Sequence, residues 1–191
     1  MSPLARPPAD LAGFPAVILP ARRVLYRIHR GDRLPWWFSS DGSGRFDLPE
    51  PRGTCYLTEE PLAAFVEVFR DTTIVSQLVV EARRLSRLRV ARRVRVADCT
   101  SRRARSFGVT AGIHSSPDYR ITQAWASAFT AHGFDGIRYL VSHDPAQRCV
   151  GIALFGRGGA GRGRAASTVG IPEDLIRAAA DEFGILVVPA V

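Results

Sequence analysis

Four side chains have types and settings that point to chemistry: Arg27, Arg45, Tyr56 and Glu67. Arg27 lies in RVLYRIHR between Tyr26 and Ile28. An Arg with apolar strand neighbours needs an anionic partner if buried, and a carboxylate or a phosphate would serve. Arg45 follows DGSG, where glycine lets the backbone approach a ligand, and its planar fork suits a pyrophosphate. Tyr56 is either a core residue with a satisfied hydroxyl or a stacking platform for a planar ring. Glu67 points roughly away from the apolar stripe Leu62, Phe65, Val66 and Phe69, the usual place for a solvated carboxylate. Its neighbours on the helix are Ala63 and Ala64, however, and these leave room for something to approach it. Two guanidinia, a phenol and a carboxylate together suit an anionic dinucleotide with a planar base better than four separate tasks.

These residues need elements to hold them. The alternation in RVLYRIHR predicts a strand, and TCYL a short second one. Thr58 is a plausible cap for a helix over about 59–70, with Pro61 in its first turn. TIVSQLVVEA reads as a buried strand, and 85–97 as one or two more. ITQAWASAFTAHG has a stripe of Ile121, Ala124, Trp125, Ala128 and Phe129 and predicts a helix stopped by Gly133. GIRYLV and CVGIALF, joined by SHDPAQ, predict a hairpin. A last helix runs from Pro172 to about Phe183, before ILVVP. This order argues an α+β fold rather than regular βαβ alternation.

Composition narrows the function classes. The 191 residues are 46% hydrophobic, enough for a full core, and hold no apolar run of the roughly 18 residues that a membrane span needs. Cys55, Cys99 and Cys149 match no zinc or disulfide spacing, and the four histidines form no metal motif, so no metal site is expected. A reducing, cytoplasmic setting is the simplest. Gly156, Gly158 and Gly161 spell G-x-G-x-x-G after a strand, but no helix follows to receive a pyrophosphate. No G-x-S-x-G elbow is present. All 26 basic residues are Arg, and ten of them fall between Arg83 and Arg105. That segment reads as a solvated or partner-facing surface. A nucleic-acid-binding module built on it is the rival of a different class, disfavoured because no aromatics interleave the arginines.

The ordered series LYRIHR, GRFDLPEPRGTCYLTEEPLAAFVEV and GFDGIRYLVSHDP…GIALF resembles the RES domain family over about residues 22–156. That family is named for an Arg, a Glu and a Ser. By this resemblance, Arg27 and Glu67 match the first two, Arg45 matches the Arg of a Gly-Arg-aromatic motif, and Tyr56 the Tyr before the helix. Ser142 is the nearest match to the Ser, without the Pro that commonly precedes it. The family's Gly-Arg-Trp-Asn stands here as Gly-Arg-Phe-Asp.

The resemblance implies a single α+β domain with a mixed, mostly antiparallel split sheet and flanking helices, similar to ADP-ribosyltransferases. It implies a toxin of a toxin–antitoxin pair that cleaves the nicotinamide–ribose bond of NAD, with NAD as substrate and no further cofactor. Water or phosphate is the expected acceptor, and ADP-ribosyl transfer to a macromolecule is the alternative. Arg27, Glu67 and Ser142 are the expected catalytic residues, and Arg45 and Tyr56 the substrate-binding ones. The expected partner is an antitoxin with a helix-turn-helix domain, with no membrane and no nucleic acid. The chain divides, on this reading, into a lead-in (1–21), the RES domain (22–156), a Gly/Arg-rich linker (157–168) and a C-terminal helix and strand (169–191).

Overall fold

Period-two alternation in the chain is gathered into one eight-stranded sheet and two two-stranded ones. In a computed structural model describing residues 4–70 and 72–190, the strands are β1 (Ala16–Leu19), β2 (Val24–Arg30), β3 (Trp37–Phe38), β4 (Arg52–Thr58), β5 (Ile74–Ser76) and β6 (Arg83–Arg89). They continue with β7 (Val94–Asp98), β8 (Gly136–Leu140), β9 (Val150–Arg157), β10 (Gly159–Ala160), β11 (Ala165–Val169) and β12 (Leu186–Val188). The helices are α1 (Pro61–Phe69), α2 (Gln77–Glu81), α3 (Gly112–Ser115), α4 (Tyr119–Ala131) and α5 (Glu173–Phe183), with a 3-10 helix over Arg102–Phe107. The main sheet runs β1-β7-β8-β9-β4-β2-β6-β11. Only β7 and β8 pair in parallel there, so the domain is α+β with a mixed, mostly antiparallel sheet.

The alternation sends apolar residues to both faces. One face carries Leu25, Cys55, Leu57, Leu88, Val96 and Ile152, which form one buried cluster with Trp36. On the other face, α4 lays Trp125 and Phe129 over Ile137 and Tyr139. There α1 packs Ala63, Phe65 and Phe69 with Val141 and with Leu175 and Ala179 of α5. The sheet is least continuous between β2 and β4. Tyr26 and Thr58 are their one register pair, whereas β2 pairs with β6 along its whole length. Beyond that pair the strands part, and the split opens beside α1.

Several expectations are corrected. The lead-in is integral: Ala16–Leu19 forms edge strand β1 against β7, and Leu4, Leu11 and Phe14 are buried. The Gly/Arg-rich stretch 157–168 is paired backbone rather than linker. Gly159 and Ala160 pair with β3, and β11 extends the main sheet on β6. TIVSQLVVEA is not one strand: β5 ends at Ser76, and Gln77–Glu81 forms α2. Thr58 does not cap α1. Its hydroxyl donates to the Glu60 carbonyl at 2.7 Å, and Pro61 starts the helix.

Candidate active site

The split between β2 and β4 holds a cavity of about 160 Å³, lined by Arg27, Tyr56 and Glu67 with Tyr26, Thr58 and Ala64. Three of the five expected site residues therefore meet, each delivered by a different element. Strand β2 brings Arg27, β4 brings Tyr56, and α1 brings Glu67 one helical turn after Ala63 and Ala64. Those two alanines pack flat enough to let the carboxylate reach the split.

Arg27 is partly committed to the protein. Its Nη1 donates to the carbonyls of Pro35 at 2.9 Å and Trp37 at 2.8 Å and contacts Cys55 Sγ at 3.0 Å. Nη2 and Nε make no hydrogen bond among the described residues. Its anionic partner is thus no carboxylate of the described fold, and two backbone carbonyls take that place.

Tyr56 is both wall and strut. Its hydroxyl donates to Asp47 Oδ1 at 2.8 Å and accepts from the Phe46 amide at 2.8 Å. Asp47 Oδ2 in turn accepts from the Gly44 amide at 3.0 Å. Burial and the Asp47 carboxylate push the Tyr56 hydroxyl well above the usual tyrosine range. The turn Gly44-Arg45-Phe46-Asp47 is therefore pinned to β4, with the ring of Tyr56 left on the cavity.

Arg45 projects from that turn. Its Nη1 donates to the Ser116 carbonyl at 2.6 Å, and its guanidinium lies 5.0 Å over the Tyr119 ring. It does not line the cavity but stands near it. Burial first, and then the Arg45 charge, hold His114 down to about 4, with Asp98 opposing. Glu67 lies 3.7 Å from Arg70 one turn on.

Ser142 is not brought in. It lies half-buried in the turn after β8, outside the cavity lining, while its neighbour Val141 is buried against α1. Asp144 shapes that turn by accepting from the amides of Ala146 and Cys149 at 2.9 and 2.7 Å.

The structure adds residues that the sequence reading passed over. Tyr26 and Thr58 line the cavity. Asp47 organises the Arg45 turn, and its exchange for the family's Asn in this motif was its only trace in the sequence. Arg87 pairs directly with Tyr26 across β2 and β6, so they share a face. One member of the basic segment thus stands beside a residue that lines the cavity, which counting arginines along the chain does not reveal.

In comparisons with known proteins, a family model described as "RES domain" matches residues 24–169. No match was found among curated proteins. A chain of the crystal structure of the M. tuberculosis MbcT-MbcA toxin-antitoxin complex superposes with a TM-score of 0.62 at 22% identity. The match covers 83% of this chain and 88% of that one. Unlike the expected boundary at 156, the family match runs through β10 and β11, in agreement with their pairing into the fold. The chain belongs to the RES domain family.

Proposed function

We propose that this protein is an NAD-cleaving toxin of a toxin–antitoxin pair, acting in the cytoplasm at the split between β2 and β4. The observation that carries this reading is the convergence of Arg27, Tyr56 and Glu67 on one small cavity with Arg45 near it. A carboxylate beside an aromatic wall, with guanidinia close by, is the set needed to break a glycosidic bond to a cationic base. A cavity of about 160 Å³ is below the ~300–1,000 Å³ of sites that engulf a whole ligand. It takes the nicotinamide end, and the pyrophosphate lies outside.

The bond from ribose C1′ to the nicotinamide nitrogen breaks, and its electron pair goes to the pyridinium ring, which leaves neutral. No general acid is required. The ribosyl centre becomes an oxocarbenium-like cation, as in glycoside cleavage. Glu67 stabilises that cation and holds the ribose hydroxyls, an electrostatic role that works best in a partly buried site. Tyr56 supplies the wall for the ring. Arg45 takes the pyrophosphate, and the Nη2 and Nε of Arg27 add positive charge at the split. Water or phosphate completes the reaction by adding its oxygen to C1′, water losing a proton. Ser142 enters only if its turn moves toward the split.

The partner is an antitoxin. Support comes from the family and from the similar chain, whose structure is that of a toxin-antitoxin complex. A helix-turn-helix domain on that antitoxin is part of the proposal.

The test is incubation of the purified, antitoxin-free chain with NAD, with and without phosphate, following nicotinamide release. The parent depletes NAD, and Glu67→Gln keeps its melting temperature and loses about 10²–10³-fold in turnover, the scale for removing one preorganised group. Intact NAD in both buffers, from protein that melts cooperatively, overturns the reading. Label from NAD left on protein or nucleic acid would redirect it to ADP-ribosyl transfer.

A further inference from the structure

Tyr139 carries a buried hydroxyl that faces the Glu67 carboxylate. The residue is 2% exposed, and its Oη is buried without a hydrogen-bond partner among the described residues. A buried hydroxyl left unpaired costs stability, so Phe would serve folding better at this position.

The ring is held from two sides. Phe46 meets it edge-on at 5.1 Å, and Gly151 lies directly opposite on β9. A Cβ on Gly151 would overlap Cζ, Cε1 and Cε2 of Tyr139. These are the carbons of the hydroxyl end, so the ring leans across β9 over Gly151. The registers of β8, β9, β4 and β2 set Tyr139, Gly151, Thr58 and Tyr26 in one row. Continued along that row, the hydroxyl heads for Thr58 and Tyr26, which line the cavity.

Its position along β8 agrees. Ile137 packs beneath α4, and Val141 packs on α1 beside Ala63 and Ala64. Tyr139 lies between them, at the seam where α1 delivers Glu67. Burial first, and then the Glu67 carboxylate, push the Tyr139 hydroxyl well above the usual tyrosine range, while Arg45 and Arg70 act in the opposite direction.

We propose that Tyr139 is a positioning residue of this site, its O–H reserved for the Glu67 carboxylate, which it turns toward the ribose. Arg70, 3.7 Å from Glu67 on the next turn, draws the carboxylate outward along the helix. A donor from the floor of the site opposes that pull and fixes one carboxylate oxygen, leaving the other for the ribose hydroxyls and the cation. The consequence for turnover rests on the NAD reading; the link between Tyr139 and Glu67 does not.

The test is Tyr139→Phe, read in two ways. In the free protein, the carbon-13 titration of the Glu67 carboxyl moves upward by roughly half a unit or more, because a donor to the charged form has been removed. With NAD, kcat falls about tenfold while KM changes less than about threefold, and the melting temperature is unchanged or higher. An unmoved Glu67 titration overturns the inference, as does a variant as fast as an active parent. A lower melting temperature also overturns it, since it would show the hydroxyl to be structural. A moved titration in a chain that leaves NAD intact would uphold the pairing and sink the NAD reading instead.

Discussion

At Arg27 three hydrogen bonds converge on one nitrogen, and this alters what a substitution there measures. Reading its neighbours predicts a buried cation that needs an anion. The described fold answers with the carbonyls of Pro35 and Trp37 and the thiol of Cys55. Sequence spacing cannot supply that answer, because the two carbonyls lie in and just before β3, whose course is set by its pairing with β10 far along the chain. Arg27→Lys keeps the charge and loses the planar fork, so one or both carbonyls lose their donor. The expected outcome is a loss of at most about 1–3 kcal/mol in stability, the scale for leaving buried acceptors unpaired, because these carbonyls are half-buried. A shift in tryptophan emission from Trp36 and Trp37 accompanies it. Denaturant titration followed by fluorescence checks both. Unchanged stability with weaker NAD binding would assign Arg27 to the ligand alone.

At the scale of elements, segments with one strong local signal were legible. The stripe through Trp125 and Phe129 and the stop at Gly133, with φ of 74°, give α4 as read. The hairpin of β8 and β9 is as expected, with Asp144 accepting the amides of its turn. The misread segments were decided by tertiary contacts. Residues 157–168 look like a flexible linker by composition. In the structure, Gly161 and Gly163 are the residues that let this backbone lie against Trp36 and Phe38, where a Cβ would collide. TIVSQLVVEA reads as a strand by apolar content. Its second half turns helical, and α2 leaves Leu78 and Val79 exposed. The Gly-Arg-Phe-Asp turn is the element that ties Arg45 to Tyr56. A Cβ at Gly44 would overlap both Asp47 Oδ1 and the Tyr56 hydroxyl. Gly44→Ala should therefore break the Asp47–Tyr56 hydrogen bond and release Arg45 from its place. We expect a loss of about 1–3 kcal/mol in stability and at least a tenfold rise in KM for NAD. An alanine variant with parental KM would show that Arg45 reaches its ligand without the turn.

For the molecule as a whole, the ordered motifs named the candidate residues, but not how the split sheet brings Arg27, Tyr56 and Glu67 to one cavity. His114 shows the difference. It matched no motif in the sequence, yet it lies next to Arg45, and its Nδ1 accepts from the Leu140 amide at 3.3 Å. That bond needs an unprotonated Nδ1. Burial first, and the Arg45 charge second, lower its pKa from the ordinary 6.5 to about 4, with Asp98 pulling weakly the other way. The unfolded chain therefore binds a proton at this ring near pH 6.5 and the folded chain only near pH 4, so acid favours unfolding across that interval. The stability that neutral His114 contributes is complete above about pH 6.5, falls as pH drops, and is gone below about pH 4. His29, buried against Ser86 and also shifted downward, acts in the same direction. The depressed Asp41, Asp118, Asp135 and Asp144 lose their contributions at more acid pH, below the ordinary carboxylate value. Between about pH 7 and pH 5 the His114 share of the loss is about 2 kcal/mol. His114→Gln retains an acceptor for Leu140 and cannot titrate. Unfolding free energies of parent and variant at the two pH values should differ in their pH dependence by about that amount, with the variant flatter. Equal slopes would mean that the ring is open to water, and that Arg45 does not stand as close to it as the fold describes.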